Sequence, residues 1–573
     1  MQYTGARILI ESLIEQGVDT VFGYPGSAVL HIYDELFRHE DRIRHILVSH
    51  EQHAAHAADG YARSTGRPGV CIATSGPGAA NLITGIASAY MDSVPLVAIT
   101  GNVPTSLLGK DSFQEVDIAG ISMPIVKHNW IIKNIDELAP TIREAFFVAQ
   151  NGRPGSVLID IPKDITALKT IWTPEKTHDN SYSPRTQRLM TKYRKKSFAD
   201  EDIERALHLI GKSERPLIYA GGGVISAGAE LELTDLMERL NSPCAVSLMG
   251  IGAVPHNHWL YTGLIGMHGS IASNTLAQKA DLLIAVGARF SDRVICKEDM
   301  FAETAKVIHF DIDPAEVNKN IETETWVTGN LKDTLKALLK KIPRRKENYW
   351  NKELNELKKK SHSNITKEQI NRAEFIEPGF IIKETAKKLG ENAIAVTDVG
   401  QHQIWAAQNF PALKPRTFIS SGGLGTMGFG MGAAIGAKTA NPGEPVVLFT
   451  GDGCFRMNSG ELATLKTHKI PILIIVFNNG VLGMVRQWQS YFYKGHHSQS
   501  SLDIYPDYIK LCEAYSVTAF KAENNTSFLE VLDLAMERLA AGEPVLIDAK
   551  IDPDEKVLPM VPSGKPLDEQ ILS

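Results

Sequence analysis

Cysteine is scarce in this sequence. The 573 residues include only five cysteines, an odd number, and no two of them form a CxxC pair. They are Cys71, Cys244, Cys296, Cys454 and Cys512. A disulfide framework needs paired cysteines, and the common zinc sites need closely spaced ones. The sequence therefore argues against both.

Long apolar runs and an excess of basic residues are also missing. No apolar stretch reaches the ~18 residues of a membrane-spanning helix, and the N-terminal segment 1–17 predicts an amphipathic helix without a signal-cleavage pattern. The formal net charge is -6, so no basic surface for nucleic acid is expected. We therefore expect a cytoplasmic protein that binds neither membranes nor nucleic acid.

The chain is long enough for about three domains, and no low-complexity tract or short repeat interrupts it. Alternating strand and helix patterns predict an α/β protein with three Rossmann-like, doubly wound parallel sheets. The predicted domains are 1–173, 198–342 and 372–555, followed by a tail, 556–573. The polar segment 174–196 is predicted to be a linker, and the highly charged segment 343–371 is predicted to be either helical or linking.

Two short motifs near the C-terminal end carry the most information. Gly451-Asp452-Gly453 follows an apolar run at 444–450, and Asn478-Asn479-Gly480 follows another at 471–477. Such runs are typical of buried parallel strands, and segment 458–468 between them has helical composition. Because ligands bind at the carboxyl edge of doubly wound sheets, we expect Asp452 and Asn479 to share a site there.

The residue types at this edge suit a magnesium ion beside a diphosphate. Magnesium prefers hard oxygen donors together with phosphate oxygens, and a carboxylate, an amide oxygen and a backbone carbonyl supply them. The motif spacing is that of a thiamine-diphosphate and magnesium site. An ordinary strand-turn-helix connection with incidental Asp and Asn is the alternative.

Thiamine chemistry also needs a carboxyl group that binds N1′ of the cofactor pyrimidine and promotes removal of the thiazolium C2 proton. Glu51 is the candidate, since it lies where a predicted strand ends and a helix begins. The alternative is a glutamate that only stabilises a helix N-terminus. The neighbouring His50, His53 and His56 lack the i, i+4 pair of a zinc-binding helix.

The chain resembles the thiamine-diphosphate enzymes, and among them the family of acetolactate synthase large subunits, over nearly its whole length. The resemblance rests on the segment 49–61 around Glu51, the segment 422–428, and these motifs: Phe22-Gly23-Tyr24-Pro25-Gly26, Thr74-Ser75-Gly76-Pro77-Gly78, Phe113-Gln114-Glu115, Lys127-His128-Asn129, Gly152-Arg153-Pro154-Gly155, Gly266-Met267-His268-Gly269, Arg289-Phe290, Asp398-Val399-Gly400-Gln401-His402-Gln403 and Gly483-Met484-Val485-Arg486-Gln487-Trp488-Gln489.

The resemblance implies a set of thiamine-diphosphate and magnesium contacts in the C-terminal domain. The implied magnesium ligands are Asp452, Asn479 and the backbone carbonyl of Val481. Met427 would support the bent cofactor from below, and Met484 would lie beside the thiazolium. The remaining implied cofactor contacts are Val399, Gly400, Gln401, His402, Gly425, Gly453, Cys454 and Gly483.

The family also implies FAD, without a net redox role, in the central domain. The implied contacts are Arg153, Gly221, Gly222, Gly223, Met249, Gly266, Met267, His268, Gly287, Ala288, Arg289, Asp311 and Ile312. The glycines at 221–223 do not spell the GxGxxG pattern, so the residues alone are equally consistent with a plain tight turn.

The implied reaction decarboxylates pyruvate and transfers the hydroxyethyl unit to a second 2-oxo acid, as in branched-chain amino-acid biosynthesis. Pyruvate as acceptor gives 2-acetolactate, and 2-oxobutyrate gives 2-aceto-2-hydroxybutyrate. Arg289 and Trp488 resemble the residues that recognise the acceptor, by a charge-assisted bond to its carboxylate and by packing on its methyl group. Phe113, Gln114 and Lys127 resemble residues that line the access channel.

Further expectations concern assembly. The resemblance implies a homodimer or homotetramer, with each active centre between two subunits, and a small regulatory subunit. Several positions depart from the family pattern: Ser27, His53, Ser291, Cys454 and the pair Ser459-Gly460. None of them removes a catalytic group. Ser27 and His53 lie close in sequence to cofactor-contacting segments, so they bear on rate and acceptor preference more than on the reaction class.

Two other functions stay open at this stage. One is a different thiamine enzyme on the same scaffold, such as a pyruvate oxidase, a 2-oxo acid decarboxylase or the flavin-free catabolic acetolactate synthase. The other is a non-catalytic binding protein that kept the fold. Arg289, Trp488 and the motif at 266–268 argue against the first, and Glu51, Asp452 and Asn479 argue against the second.

Overall fold

A computed structural model describes residues 2–174, 187–188, 191, 198–345, 350–361, 374–502 and 506–572. Three six-stranded sheets dominate it. All neighbouring strands within these sheets are parallel, so helices connect the strands and cover both faces. The predicted α/β architecture is therefore confirmed. The domain bounds named above stay predictions.

The first sheet has the strand order β3-β2-β4-β5-β7-β6, and a short strand β1 pairs antiparallel with β8 beside it. The strands are β1 (Gln2–Thr4), β2 (Thr20–Gly23), β3 (Arg44–Leu47), β4 (Gly69–Ala73), β5 (Leu96–Asn102), β6 (His128–Ile131), β7 (Ser156–Pro162) and β8 (Lys169–Ile171). The helices are Gly5–Glu15, Leu30–Arg38, Glu51–Thr65, Pro77–Asn81, Ile83–Met91, Ile118–Ser122, Leu138–Gln150 and Lys163–Ala167.

The second sheet has the order β11-β10-β9-β12-β13-β14, which is the 3-2-1-4-5-6 order of dinucleotide-binding sheets. The strands are β9 (Pro216–Ala220), β10 (Cys244–Val246), β11 (Tyr261–Leu264), β12 (Leu282–Val286), β13 (Lys306–Asp311) and β14 (Thr325–Thr328). The helices are Asp200–Lys212, Gly222–Ala227, Glu230–Leu240, Ile271–Lys279, Asp292–Ile295, Leu331–Leu339 and Trp350–Ser361.

The third sheet, ordered β16-β15-β17-β18-β20-β19, repeats the topology of the first. The strands are β15 (Ile394–Thr397), β16 (Phe418–Ile419), β17 (Val446–Gly451), β18 (Leu473–Asn478), β19 (Thr518–Ala522) and β20 (Val545–Lys550). The helices are Pro378–Leu389, Gln401–Asn409, Phe429–Ala440, Asp452–Asn458, Leu462–His468, Gly483–Phe492, Tyr508–Ala514 and Asn525–Ala540.

The first and third sheets are joined through two helices. Helix Glu51–Thr65 lies against helix Phe429–Ala440, and apolar residues of both contribute to one continuous buried core. Glycine and alanine at the crossing allow the two backbones to approach closely: a Cβ added to Gly436 would lie 1.8 Å from the carbonyl oxygen of Ala57. The two domains therefore form one packed unit within the chain.

Two local predictions differ from the structure. The helix predicted over 458–468 is wrong in extent, because helix Asp452–Asn458 begins directly after β17 and a 3-10 turn, Ser459–Glu461, separates it from helix Leu462–His468. The N-terminal segment contributes strand β1 before its helix.

The predicted links fall largely outside the described residues. Most of 174–196 does, and 343–371 is described only at 343–345 and 350–361, where a helix, Trp350–Ser361, is present. Over the described ranges, no helix combines the length and apolar character needed to cross a bilayer.

Candidate functional site

The third sheet reverses its strand order between β15 and β17, which is where doubly wound sheets bind ligands. In the register, Gly451 pairs with Phe477 of the next strand, so the residues that follow both strands emerge together. The carboxylate of Asp452 accepts hydrogen bonds from the Gly480 amide at 2.8 Å and from the Gly453 amide at 2.9 Å. The two sequence motifs therefore meet as predicted.

Asn479 lies beside this carboxylate within a group of oxygen-bearing residues. Its Oδ1 accepts a hydrogen bond from the Val481 amide at 3.2 Å, and its Nδ2 donates to Oε1 of Gln401 at 3.5 Å. A Cβ on Gly483 would lie 2.0 Å from the same Gln401 oxygen. The geometry thus gathers Gln401, Asn479, Val481 and Gly483 around the end of β18.

Burial shapes the protonation of this region. The side chain of Asp452 is buried, and desolvation raises its pKa to about 6. Burial also lowers the pKa of His402 to about 3, so its imidazole is neutral, and its Nε2 has no hydrogen-bond partner among the described residues. A buried carboxylate and an unsatisfied imidazole nitrogen together fit a cation bound to an anionic group.

The part of the chain that the structure describes offers no all-protein metal site of the usual kind. Within the described ranges, no cluster of three or more His, Cys, Asp or Glu side chains is arranged to hold a metal ion. A metal at Asp452 would therefore take further ligands from amide, carbonyl and phosphate oxygens, which is the coordination that magnesium prefers.

Cys454 and Met427 flank the same loop. The Sγ of Cys454 donates to the Val399 carbonyl at 3.2 Å, and burial raises the pKa of the thiol well above its ordinary value. This cysteine is therefore an unreactive packed thiol. A Cβ on Gly453 would lie 3.7 Å from the methyl carbon of Met427, so Met427 packs beside the cofactor residues predicted from the sequence.

Glu51 is the first residue of helix Glu51–Thr65, as predicted, with His50 as the cap. Its Oε2 accepts a hydrogen bond from Nδ2 of Asn81 at 2.9 Å, and a Cβ on Gly78 would lie 3.2 Å from its Oε1. Asn81 was not identified from the sequence, although it follows a glycine-rich motif within one helical turn. These residues form the N-terminal part of the site.

The predicted channel residues separate into two places. Gln114, with a left-handed φ of 58°, packs its backbone near Gly76 beside the Glu51 region, and the adjacent Phe113 is 88% exposed. Lys127 lies elsewhere, because its Nζ donates to the carbonyl oxygens of Asn151 (2.7 Å) and Val148 at the end of helix Leu138–Gln150. Burial lowers the Lys127 pKa to about 8.

Within one chain, the start of helix Glu51–Thr65 contacts the third domain away from Asp452. The carboxylate of Glu461 accepts hydrogen bonds from the amides of Ser49 (2.9 Å) and His50 (3.2 Å), and its Oε1 lies 2.8 Å from Nδ1 of His53. In the described part of the chain, the hydrogen bonds of Glu51 and Asp452 share no residue. Each of the two carboxylates is therefore held by its own set of partners.

A cavity of about 1270 Å³ connects the central domain with the third domain. It brings together most of the residues predicted to contact flavin and several predicted to contact thiamine: Arg153, Gly221, Gly222, Gly223, Met249, Met267, His268, Gly287, Ala288, Arg289, Asp311, Ile312, Val399, Gly400, Gly425, Met484 and Trp488. Gly266 is not among its lining residues, and its backbone pairs with the side chain of Asn274.

The central glycines stand where the second sheet reverses its strand order, after β9 and β12. The Gly223 amide donates to the Gly287 carbonyl at 3.0 Å, and a Cβ on Gly221 would lie 2.1 Å from that carbonyl. Only glycine permits this approach. The position is the one at which Rossmann sheets bind a dinucleotide pyrophosphate, so the cavity there fits an extended dinucleotide.

Arg153 reaches this cavity from the first domain. Its Nε donates to Ser93 Oγ at 2.7 Å and its Nη1 to Glu316 Oε1 at 2.6 Å. The guanidinium thus links the first and central domains at the rim of the predicted flavin pocket.

A second arginine, not identified from the sequence, stands by Trp488. The guanidinium carbon of Arg293 lies 6.0 Å from the centre of the Trp488 ring, and both residues line the cavity. Arg289 lines it too and precedes helix Asp292–Ile295, whereas Arg293 lies within that helix. The sequence offers two arginines four residues apart, and only the structure shows which one reaches the indole.

Known protein families match three parts of the chain. Three family models match the chain, described as the N-terminal TPP binding domain, the central domain and the C-terminal TPP binding domain of thiamine pyrophosphate enzymes. They cover residues 3–121, 203–338 and 398–549 respectively. Together these matches span more than half of the chain.

Full-length relatives are also similar. A probable acetolactate synthase large subunit of Methanocaldococcus jannaschii is 45% identical over 98% of this chain and 94% of the relative. The acetolactate synthase large subunit of Buchnera aphidicola subsp. Schizaphis graminum is 42% identical, covering 99% and 98%. That of Corynebacterium glutamicum is 43% identical, covering 98% and 89%.

Proposed function

Because the chain belongs to the acetolactate synthase large subunits, a family of thiamine pyrophosphate enzymes, we propose that it joins two 2-oxo acids into an acetohydroxy acid with loss of carbon dioxide. Pyruvate is the donor, and pyruvate or 2-oxobutyrate is the acceptor. The observation that carries the proposal is the meeting of Asp452 and Asn479 at the reversal point of the third sheet. The product serves branched-chain amino-acid biosynthesis.

Asp452, Asn479 and the Val481 carbonyl would hold magnesium, which binds the diphosphate of the cofactor. The glycines at 400 and 453 leave room for the diphosphate beside the buried ring of His402. When bound, thiamine diphosphate supplies the carbon nucleophile that attacks the keto carbon of pyruvate. The residues of this chain anchor its charged end and exclude water from it.

Glu51 would exchange a proton with N1′ of the pyrimidine ring. Asn81 holds its carboxylate at 2.9 Å, which fixes the direction in which it points. Because Glu51 and Asp452 share no hydrogen-bond partner within the described part of one chain, and the start of the Glu51 helix is held by Glu461 instead, we propose that Glu51 serves the Asp452 site of a second copy. A homodimer is then the smallest active unit, and a homotetramer would be a pair of such dimers.

FAD would occupy the central part of the cavity. The strand order of the second sheet and the approach of Gly221 to Gly287 support a dinucleotide there. Arg153 would close the pocket from the first domain. In this role FAD holds the cavity walls apart and undergoes no net change in redox state.

Arg293 and Trp488 would recognise the acceptor. The side chain of Arg293 is 65% exposed, and its guanidinium lies beside the indole at the cavity wall, so it can receive the acceptor carboxylate while the indole packs on the alkyl group. We assign this role to Arg293 in place of Arg289, because Arg293 contacts Trp488. A plain decarboxylase has no use for such a carboxylate site.

Two further parts of the proposal concern the cell. The relatives are named as large subunits, which supports a small regulatory subunit as partner. Cytoplasmic action follows from the composition and from the metabolic role.

The test is to incubate the purified full chain with pyruvate, thiamine diphosphate, magnesium and FAD, with and without 2-oxobutyrate, and to separate the products. We expect 2-acetolactate from pyruvate alone and 2-aceto-2-hydroxybutyrate as well when 2-oxobutyrate is added. Acetaldehyde or acetyl phosphate as the main product would place the chain among other thiamine enzymes. Failure to consume pyruvate would favour a non-catalytic role.

A further inference from the structure

The side chain of Asp92, only 1% exposed, lies at the junction of the first and third domains. It follows helix Ile83–Met91 of the first domain and accepts two backbone hydrogen bonds from the third. The Gly423 amide donates to its Oδ1 at 2.7 Å, and the Gly422 amide donates to its Oδ2 at 3.0 Å. A single carboxylate therefore holds two successive amides of a loop in another domain.

The loop held by Asp92 forms part of the cavity wall. Residues 422–425 line the cavity next to Val399 and Gly400 on one side and Met249 on the other. A Cβ on Gly422 would lie 2.5 Å from the Sδ of Met249, and one on Gly423 would lie 2.7 Å from Oδ1 of Asp92. The loop backbone is thus confined between the first and central domains.

A second carboxylate holds the other end of the same segment. Oδ1 of Asp398 accepts hydrogen bonds from the Gly428 amide at 2.8 Å and the Gly430 amide at 3.0 Å. Met427 and Gly425 lie between the two held ends. A backbone segment fixed at both ends has little freedom, so small changes at either carboxylate will move the residues between them.

The charge on Asp92 is balanced by a buried arginine. Nη2 of Arg63 donates to Asp92 at 2.9 Å and to Asp59 at 3.2 Å, while its Nη1 donates to the Ser420 carbonyl at 3.0 Å. Arg63 therefore pairs with two carboxylates, and only Asp92 also contacts the loop amides. Asp59 offers a comparison within the same charge cluster.

We propose that Asp92 is a positioning residue that sets the conformation of the loop 422–425 for binding of thiamine diphosphate in its own chain. The inference rests on the proposed function for the identity of the cofactor. The first domain then has two separate duties: Asp92 shapes the cofactor site of its own chain, and Glu51 completes the site of the partner. Asp92 also lines the cavity, and a change there alters cofactor affinity through the loop whose amides it holds.

The test compares Asp92→Asn with Asp59→Asn in the full chain, because each variant leaves Arg63 one carboxylate partner. The concentration of thiamine diphosphate that half-saturates the quenching of intrinsic tryptophan fluorescence is measured at saturating magnesium. Charge-assisted hydrogen bonds of this kind predict a rise of about tenfold for Asp92→Asn and less than about threefold for Asp59→Asn. Melting temperatures of both variants without cofactor are recorded alongside.

Asp92→Glu keeps the charge opposite Arg63 while displacing the carboxylate, and it replaces Asp92→Asn if that variant does not fold. It should also raise the half-saturating concentration, with a melting temperature close to wild type. An unchanged concentration in the Asp92 variants, or an equal rise in Asp59→Asn, would overturn the proposal. Because the readout is binding, the result does not depend on which product pyruvate gives.

Discussion

Arg293 and Trp488 both line the cavity and lie side by side there, with the guanidinium carbon of Arg293 6.0 Å from the centre of the Trp488 ring. The ring attracts the cation electrostatically, and the Arg293 side chain is 65% exposed, so it can also meet an anion. The pair thus offers an acceptor acid a charge and an apolar wall at one point.

Replacing Arg293 by Gln should impair the second half of the reaction more than the first. Losing a charge-assisted bond to the acceptor carboxylate costs about 1.5–3 kcal/mol, so the half-saturating concentration of the acceptor should rise at least tenfold. Product separation should show more acetaldehyde and less acetohydroxy acid. Arg289→Gln is the matched control, and the assignment is reversed if that variant shows the acceptor defect instead.

Asn479 should contribute to magnesium binding, and the neighbouring Asn478 should not. Asn479→Ala removes a proposed ligand. The magnesium concentration that half-saturates cofactor binding should therefore rise by about tenfold or more. Asn478→Ala removes an amide that donates to Asp548 at 2.8 Å instead. It should leave the half-saturating magnesium concentration within about twofold of wild type. Magnesium titrations at fixed thiamine diphosphate measure the difference; equal effects would mean that Asn479 is not a ligand.

Glu51→Gln should lower kcat by about 100-fold or more, the usual contribution of a positioned acid-base group. If the glutamate serves the partner's site, mixing this variant with Asn479→Ala should restore activity at a magnesium concentration too low for Asn479→Ala alone. Hybrid dimers then contain one intact site, and random exchange gives about a quarter of wild-type activity. No recovery after confirmed subunit exchange would place Glu51 in the site of its own chain.

The crossing of helices Glu51–Thr65 and Phe429–Ala440 should be intolerant of a single methyl group. Gly436→Ala brings a Cβ to 1.8 Å from a backbone oxygen, and such overpacking should cost about 3 kcal/mol or more of stability. Gly443→Ala, where no atom lies within 4 Å of the added Cβ, is the control. Urea unfolding measures both, and equal midpoints would contradict the described packing.

His56 should make the protein sensitive to acid. Burial lowers its pKa to about 3. Below about pH 6.5, His56 is therefore protonated in the unfolded chain but stays neutral in the folded chain. The stabilisation is complete above pH 6.5 and is lost progressively as the pH falls toward 3, amounting to about 2 kcal/mol between pH 7 and pH 5.

In His56→Asn, the free energy of unfolding should fall by about 2 kcal/mol less between pH 7 and pH 5 than in wild type. Urea unfolding at both pH values measures this, and His31→Asn, at an exposed histidine, is the control. A slope identical in the two variants would show that His56 does not contribute.

Local patterns predicted the parts of the site that lie next to strands. The apolar runs before Asp452 and Asn479 specify β17 and β18, and strand register then places the two residues side by side, so spacing alone was sufficient. The three sheets follow from the same alternation of strand and helix.

Contacts between distant segments could not be read in this way. The 3-10 turn Ser459–Glu461 interrupts residues with helical propensity, because the turn brings the Glu461 carboxylate to the amides of Ser49 and His50. Likewise, the sequence alone does not distinguish Arg289 from Arg293. The folded structure places Arg293 beside Trp488. Tertiary contacts decide such cases, not propensity.

The shared core of the first and third domains has a consequence for synthesis. Helix Phe429–Ala440 reaches the ribosome exit roughly 20 to 70 seconds after helix Glu51–Thr65 at common translation rates. During that interval the alanine-rich face of the earlier helix has no partner in its own chain. The nascent first domain should therefore recruit chaperones until the later helix covers it, and slow codons in between would lengthen that dependence.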